Sequence, residues 1–223
     1  MNKSISLYIH IPFCHKKCNY CDFYSISEKF LDNNLIKKYT ESIVNELQFY
    51  KPLLKNYSIE SIYFGGGTPN CIDNNILYDF LYKFFIELNK INPGNPKEIS
   101  EITMEMNPQF VTKAQINIIK DFPVNRISLG VQALDNKSLD FLGRNATLYE
   151  TEKSIDMILS FFNNVSLDFI IGLPEQNIKK ILNKIIKYSK AYNSLKHLSF
   201  YILNIAEGTL LYHNLYYNLY INK

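Results

Sequence analysis

Three cysteines fall within eight residues, in the stretch Cys14-His15-Lys16-Lys17-Cys18-Asn19-Tyr20-Cys21. The spacing is C-x3-C-x2-C, with an aromatic residue directly before the third cysteine. Three thiolates this close can hold three corners of an iron–sulfur cube and leave the fourth iron without a protein ligand. An open iron is a place for chemistry, whereas a structural zinc site usually closes itself with a fourth side chain. A zinc reading would draw that fourth ligand from His10, His15 or Cys71, but the second separated ligand pair of most zinc motifs is missing. A redox pair at Cys18 and Cys21 would normally open a helix of a thioredoxin-like unit, and that context is absent too. Cys14, Cys18 and Cys21 are therefore the candidate metal ligands.

Other residues with chemical potential stand at the ends of apolar runs. Gly65-Gly66-Gly67-Thr68-Pro69 ends one run. A glycine run lets backbone approach a ligand with no Cβ in the way, and equally makes a tight turn. Glu105 lies in Thr103-Met104-Glu105-Met106-Asn107-Pro108, where a carboxylate is costly unless paired or contacted by a ligand. Gln132 closes Ser128-Leu129-Gly130-Val131-Gln132, and Arg144 follows in Leu142-Gly143-Arg144. Asp168 interrupts Leu167-Asp168-Phe169-Ile170-Ile171 ahead of Gly-Leu-Pro. Each has a plain alternative: a salt bridge for Glu105, a surface charge for Arg144, a satisfied buried carboxylate for Asp168. Cys71 reads as a free thiol near the cysteine loop.

The elements that must position these residues alternate along the chain. Period-two apolar runs predict strands at residues 6–11, 61–64, 102–106, 126–131, 165–171 and 197–202. Helical patterns run from about 31 to 50, 76 to 88, 147 to 161 and 178 to 192. Thr112 with Gln115, and Thr147 with Glu150, have the form of capping boxes opening helices. Six β/α alternations imply an α/β fold with a parallel sheet and external helices. The unusual residues all lie in or just after strands, the face that carries active sites in barrel-type folds.

Composition sets the outer limits. The chain has 223 residues, enough for one substantial domain, and 47% of them are hydrophobic, enough for a real core. A net charge of +3 and the lack of a Lys/Arg block give no reason to expect nucleic acid. No apolar stretch approaches the length of a transmembrane segment and no leader precedes the first strand, so a cytoplasmic location is expected. There four cysteines are poor disulfide candidates.

The segment Tyr8-Ile9-His10-Ile11-Pro12-Phe13, followed by Cys14-x3-Cys18-x-Tyr20-Cys21, resembles the radical S-adenosylmethionine (SAM) superfamily. More narrowly it resembles the oxygen-independent coproporphyrinogen III oxidase family, and Asp22-Phe23 after the last cysteine leans toward its HemW heme-chaperone branch. The resemblance runs from Leu7 to about Thr209. It implies a partial (β/α)6 TIM-like barrel of the radical SAM type, a [4Fe-4S] cluster on the three cysteines, and SAM chelated to the open iron. Electron transfer from the cluster would then break the sulfur–C5′ bond. It further implies SAM contacts from Tyr8, Gly66, Gly67, Thr68, Glu105, Gln132, Arg144 and Asp168, with Tyr20, Phe13 and Phe23 shielding the cluster and His10 at the pocket. Expected partners are heme or coproporphyrinogen III and a low-potential electron donor.

Residues 1–212 are expected to form the radical SAM core and 213–223 a short tail, with the family's C-terminal region absent. His213-Asn214-Leu215-Tyr216-Tyr217 partly matches the branch's later heme-binding motif H-N-x-x-Y-W but lacks the tryptophan and comes too early, which marks a chance match. Three functions remain in play: a heme chaperone, a coproporphyrinogen III oxidase, and a remnant that keeps the fold without the chemistry.

Overall fold

Apolar residues at 77, 80, 81, 84, 85, 88 and 91 recur at helical spacing and put one stripe of a long helix into the core. Each large side chain so buried contributes roughly 1.5–3 kcal/mol. The computed structural model describes residues 4–27, 32–91 and 99–220. Its elements, in chain order, are β1 (Ser4–Ile11), β2 (Phe13–Cys14), β3 (Ile26–Ser27), α1 (Asn33–Phe49), α2 (Lys51–Leu54), β4 (Ser58–Gly66), α3 (Asn74–Ile91) and β5 (Glu101–Met106). There follow α4 (Lys113–Lys120), β6 (Arg126–Gln132), α5 (Asn136–Phe141), α6 (Leu148–Phe161), β7 (Val165–Ile171), α7 (Ile178–Ala191), β8 (Leu195–Ile202) and α8 (Leu210–Tyr220).

Six strands form one sheet in the order β1-β4-β5-β6-β7-β8, every pair parallel. Strands laid down in chain order describe a singly wound sheet, the arrangement of a barrel left open between its first and last strands. The two faces differ by the period-two rule. Ile62 and Phe64, Ile102 and Met104, Ile127 and Leu129, and Leu167 and Phe169 all belong to the large core beneath the helices. The alternate residues lie on the opposite face in two hydrogen-bonded groups, Tyr63 with Glu105, and Ser128 and Ser166 with Asp168. The polar set therefore occupies the barrel interior.

Several boundaries differ from those expected. The second main strand runs through Gly65 and Gly66 because both pair with the end of β1 (His10 with Gly65, Ile11 with Gly66). The cysteine loop is bracketed by β2 and β3, a two-residue parallel pairing too short to leave a sequence pattern. The box at Thr147 and Glu150 is present in both directions. At Thr112 only half of it forms: the hydroxyl accepts from Gln115 N–H, but the Gln115 side chain is buried against Asn70 instead. The first helix starts at Asn33 on the Asp32 cap, and residue 31 lies outside the described residues. Helix α8 spans the boundary expected after residue 212.

Candidate functional site

The strand ends and the cysteine loop enclose one cavity of about 390 Å³, within the size range of small-molecule sites. Of the residues expected at the cluster and SAM site, Cys14, Cys18, Tyr20, Cys21, Phe23, Gly66, Gly67, Thr68, Glu105, Gln132, Arg144 and Asp168 line it. Tyr8 does not. It stands on the open edge of β1, more than half exposed, with its hydroxyl 3.0 Å from His10 Nδ1 and its ring stacked on Tyr63. His10 is also outside the cavity, its Nε2 3.2 Å from the Tyr24 carbonyl. Phe13 is a core residue packed edge-on against Tyr39, whereas Phe23 stands exposed at the rim.

Local chain geometry places the thiols. Cys14 is on β2, with Sγ 3.5 Å from Thr68 Oγ1. A turn from Cys18 O to Cys21 N (3.2 Å) carries the other two. Between them Asn19, which the sequence reading passed over, ties the loop down: its N–H donates to Leu142 O (3.0 Å), its Nδ2 to Phe141 O (2.9 Å), and its carbonyl accepts from Leu211 N–H (2.7 Å). Burial raises the Cys14 and Cys21 thiols above their ordinary value. Coordination to a metal reverses that preference by requiring the thiolate. Among the described residues no three His, Cys, Asp or Glu side chains converge on the position of a single metal ion. An iron–sulfur cube takes one thiolate per iron, so three thiols lining one cavity could hold three of its corners. Cys71 lies under the loop, donating to Phe13 O (3.4 Å), its thiol pushed up to about 12 mainly by burial.

The glycine turn is packed as tightly as it is open. Gly67 N–H donates to Ile11 O (2.8 Å) and Thr68 N–H to Phe13 O (2.7 Å), so the turn holds the chain leading into Cys14. A Cβ on Gly67 would stand 2.6 Å from Phe13 O. Gly66, at φ +118°, adopts a backbone that glycine alone takes readily, and its N–H donates to Glu105 Oε2 (3.1 Å). The other Glu105 oxygen accepts from the Tyr63 hydroxyl at 2.6 Å. Burial raises the Glu105 carboxyl and these two donors lower it, with a net upward shift.

Asp168 is held between two hydroxyls, Ser128 Oγ on Oδ2 (2.7 Å) and Ser166 Oγ on Oδ1 (3.0 Å). A carboxylate has about four acceptor sites, so these leave capacity facing the cavity. Gln132 sits at φ +65° beside an irregularity where the β6–β7 register passes from Gly130 opposite Asp168 to Gln132 opposite Phe169. A non-glycine residue in that region costs about 1–3 kcal/mol and collects at ligand sites. Arg144 is turned inward: Nη2 donates to Gly130 O (3.2 Å) and approaches the Tyr20 hydroxyl (3.4 Å). Its Nε is buried without a partner. Burial pushes the Tyr20 phenol up to about 12. The unpartnered guanidinium nitrogen, the strained Gln132, the free capacity of Asp168 and the thiol rim together fit a polar, charged ligand beside a cluster.

The sequence profile of the Radical SAM superfamily matches residues 8–185. The chain belongs to the radical SAM superfamily. Membership implies an iron–sulfur cluster and SAM as the ligands of such a core. The chain is 35% identical over 210 residues to the heme chaperone HemW of Buchnera aphidicola subsp. Schizaphis graminum, covering 93% of this chain and 53% of that protein. It is 32% identical over 229 residues to the mitochondrial radical S-adenosyl methionine domain-containing protein 1 of Dictyostelium discoideum, covering 95% and 49%. The coproporphyrinogen III oxidase HemN of Escherichia coli, described as a radical SAM enzyme, superposes with a TM-score of 0.74 at 22% identity, covering 91% of this chain and 44% of that one. That likeness shows the fold. The chain spans about half the length of the curated relatives it matches. Among the described residues no helix is long and apolar enough to cross a membrane.

Proposed function

We propose that Cys14, Cys18 and Cys21 hold a [4Fe-4S] cluster at the cavity and that SAM fills the space between its open iron and the strand ends. The observation that carries this is the gathering of three thiols, Glu105, Gln132, Arg144 and Asp168 around one cavity. Cluster and SAM together supply one-electron chemistry on the sulfonium. The chain's own groups bind and orient. Gly66, Gly67, Thr68 and Glu105 take the methionine end, where Glu105 favours an ammonium. Asp168 accepts from the ribose hydroxyls, Gln132 and Arg144 meet the remaining polar atoms, and Tyr20 excludes water beside the thiols. Tyr8, set back on the edge, acts through Tyr63 and Glu105.

The role proposed for the chain is heme handling of the HemW kind, in the cytoplasm, with a low-potential electron donor as partner. The likeness to the HemW chaperone over 93% of the chain supports it. Adding heme to the purified protein should give a stoichiometric Soret band. Formation of protoporphyrinogen IX from coproporphyrinogen III, in reduced protein supplied with SAM and showing no heme band, would assign the oxidase activity instead. Neither heme binding nor SAM cleavage would leave only the remnant.

A further inference from the structure

Asn70, directly after the Gly-Gly-Gly-Thr-Pro turn, is buried and does not reach the cavity, yet every polar atom of its side chain is in use. Its Oδ1 accepts from Asn107 N–H (2.7 Å), and its Nδ2 donates to Asn107 O (3.1 Å) and to Gln115 Oε1 (3.2 Å). Gln115, equally buried on α4, returns Nε2–H to the Asn70 carbonyl (2.8 Å). The backbone ladder between β4 and β5 ends at Phe64 opposite Met104. Beyond that rung the glycine turn leans on β1 and separates from β5. The Asn70 amide, paired with both main-chain groups of Asn107, supplies a side-chain rung where the backbone one is missing.

We infer that Asn70, locked by Gln115, is a positioning residue that fixes the glycine turn against the exit of β5 and so sets the distance between Thr68 and Glu105. The inference rests on the SAM reading given above. Thr68 lies two residues before Asn70 and Glu105 two before Asn107, so the rung ties together two walls of the cavity. A buried pair needed only for stability could be apolar, whereas a directional pair of amides fixes one separation and one register. Gln115 explains its own departure from the capping box: its side chain is engaged by Asn70.

The experiment uses the reconstituted full chain and follows two quantities, iron per chain and SAM affinity from the change in the EPR signal of the reduced cluster. Asn70→Ala and Gln115→Ala should each keep the wild-type iron content and weaken SAM binding about tenfold, with the double variant little worse than either single one. Ser194→Ala, which removes a buried hydrogen bond to Leu159 O at the far end of the sheet, serves as the stability control and should leave SAM affinity unchanged. Should Asn70→Ala fail to fold, Gln115→Ala carries the test. Wild-type SAM affinity in Gln115→Ala or Asn70→Ala overturns the inference, as does a loss that Ser194→Ala reproduces. If the wild-type protein itself binds no SAM, the SAM reading falls and the inference with it.

Discussion

Replacing Gly67 with alanine tests whether the glycine turn holds the cysteine loop or merely leaves room for a ligand. The added Cβ would lie 2.6 Å from Phe13 O, 2.9 Å from Pro12 C and 3.0 Å from Phe13 C. Ordinary contact begins at 3.4 Å, so the nearest approach must open by 0.8 Å (3.4 − 2.6). All three atoms are main chain and cannot rotate aside. The shift pulls on the bonds from Gly67 N to Ile11 O and from Thr68 N to Phe13 O. Overpacking of this kind costs about 1–3 kcal/mol, and the loss of one such bond about 1 kcal/mol more, for a total of about 2–4 kcal/mol. With a urea slope of about 2 kcal/mol/M, the unfolding midpoint of the metal-free protein should fall by about 1–2 M. Iron loading should fall as well, because the displaced strand carries Cys14. Gly208→Ala is the comparison: it meets nothing within 4 Å but sits at φ +85°, so only left-handed strain of about 1–2 kcal/mol applies, with no effect on iron. A Gly67→Ala protein with the wild-type midpoint and full iron loading would refute the packing role.

Asp168→Asn keeps the shape and most of the contact with Ser128 and Ser166, so thermal stability should change little while SAM affinity drops tenfold or more, about 1.5 kcal/mol for charged hydrogen bonds to the ribose; unchanged affinity in calorimetry would remove Asp168 from the SAM contacts. Cys71→Ser should load as much iron as wild type, since that thiol donates to Phe13 O outside the cavity, whereas Cys18→Ser should not; iron loss in Cys71→Ser would make it a ligand. Thr147→Ala should cost about 1 kcal/mol at pH 7 by removing the cap of α6, measured by urea unfolding. Glu150 accepts from the Thr147 N–H and hydroxyl, which hold its carboxyl below the ordinary 4.5. A depressed folded-state value means a contribution present above 4.5 and lost as the pH falls through the folded value, so Glu150→Gln should flatten the acid limb of the stability profile; an unaltered limb contradicts the box.

The inner strands were legible because one face of each is apolar and buried, so Ile102, Met104, Ile127 and Leu129 mark the period even where Glu105 and Ser128 interrupt it. The site was legible for the same reason: a parallel sheet brings its strand ends to one side, where Glu105 and Gln132 stand, and Asp168 lines the same cavity from the middle of β7. What escaped depends on partners distant in the chain. Arg144 reads as a surface charge until Gly130 and Tyr20 fold over it. Gln115 reads as half of a capping box until Asn70, 45 residues earlier, engages its side chain. Tyr8 belongs to the motif but stands back from the cavity, because β1 is an edge strand and its side chain turns to Tyr63 and His10. Tyr63, the donor that orients Glu105, lies in a run where an aromatic strand residue carries no signal of its own.

The central claim is that three thiols hold a cluster whose open iron receives SAM. Anaerobic reconstitution with iron and sulfide, followed by iron analysis and EPR of the reduced protein with and without SAM, tests it most directly. The account predicts about four irons per chain, lost when Cys14, Cys18 or Cys21 becomes serine, and an EPR signal that shifts when SAM is added. One tightly held zinc with no iron, or a cluster whose signal ignores SAM, would contradict it.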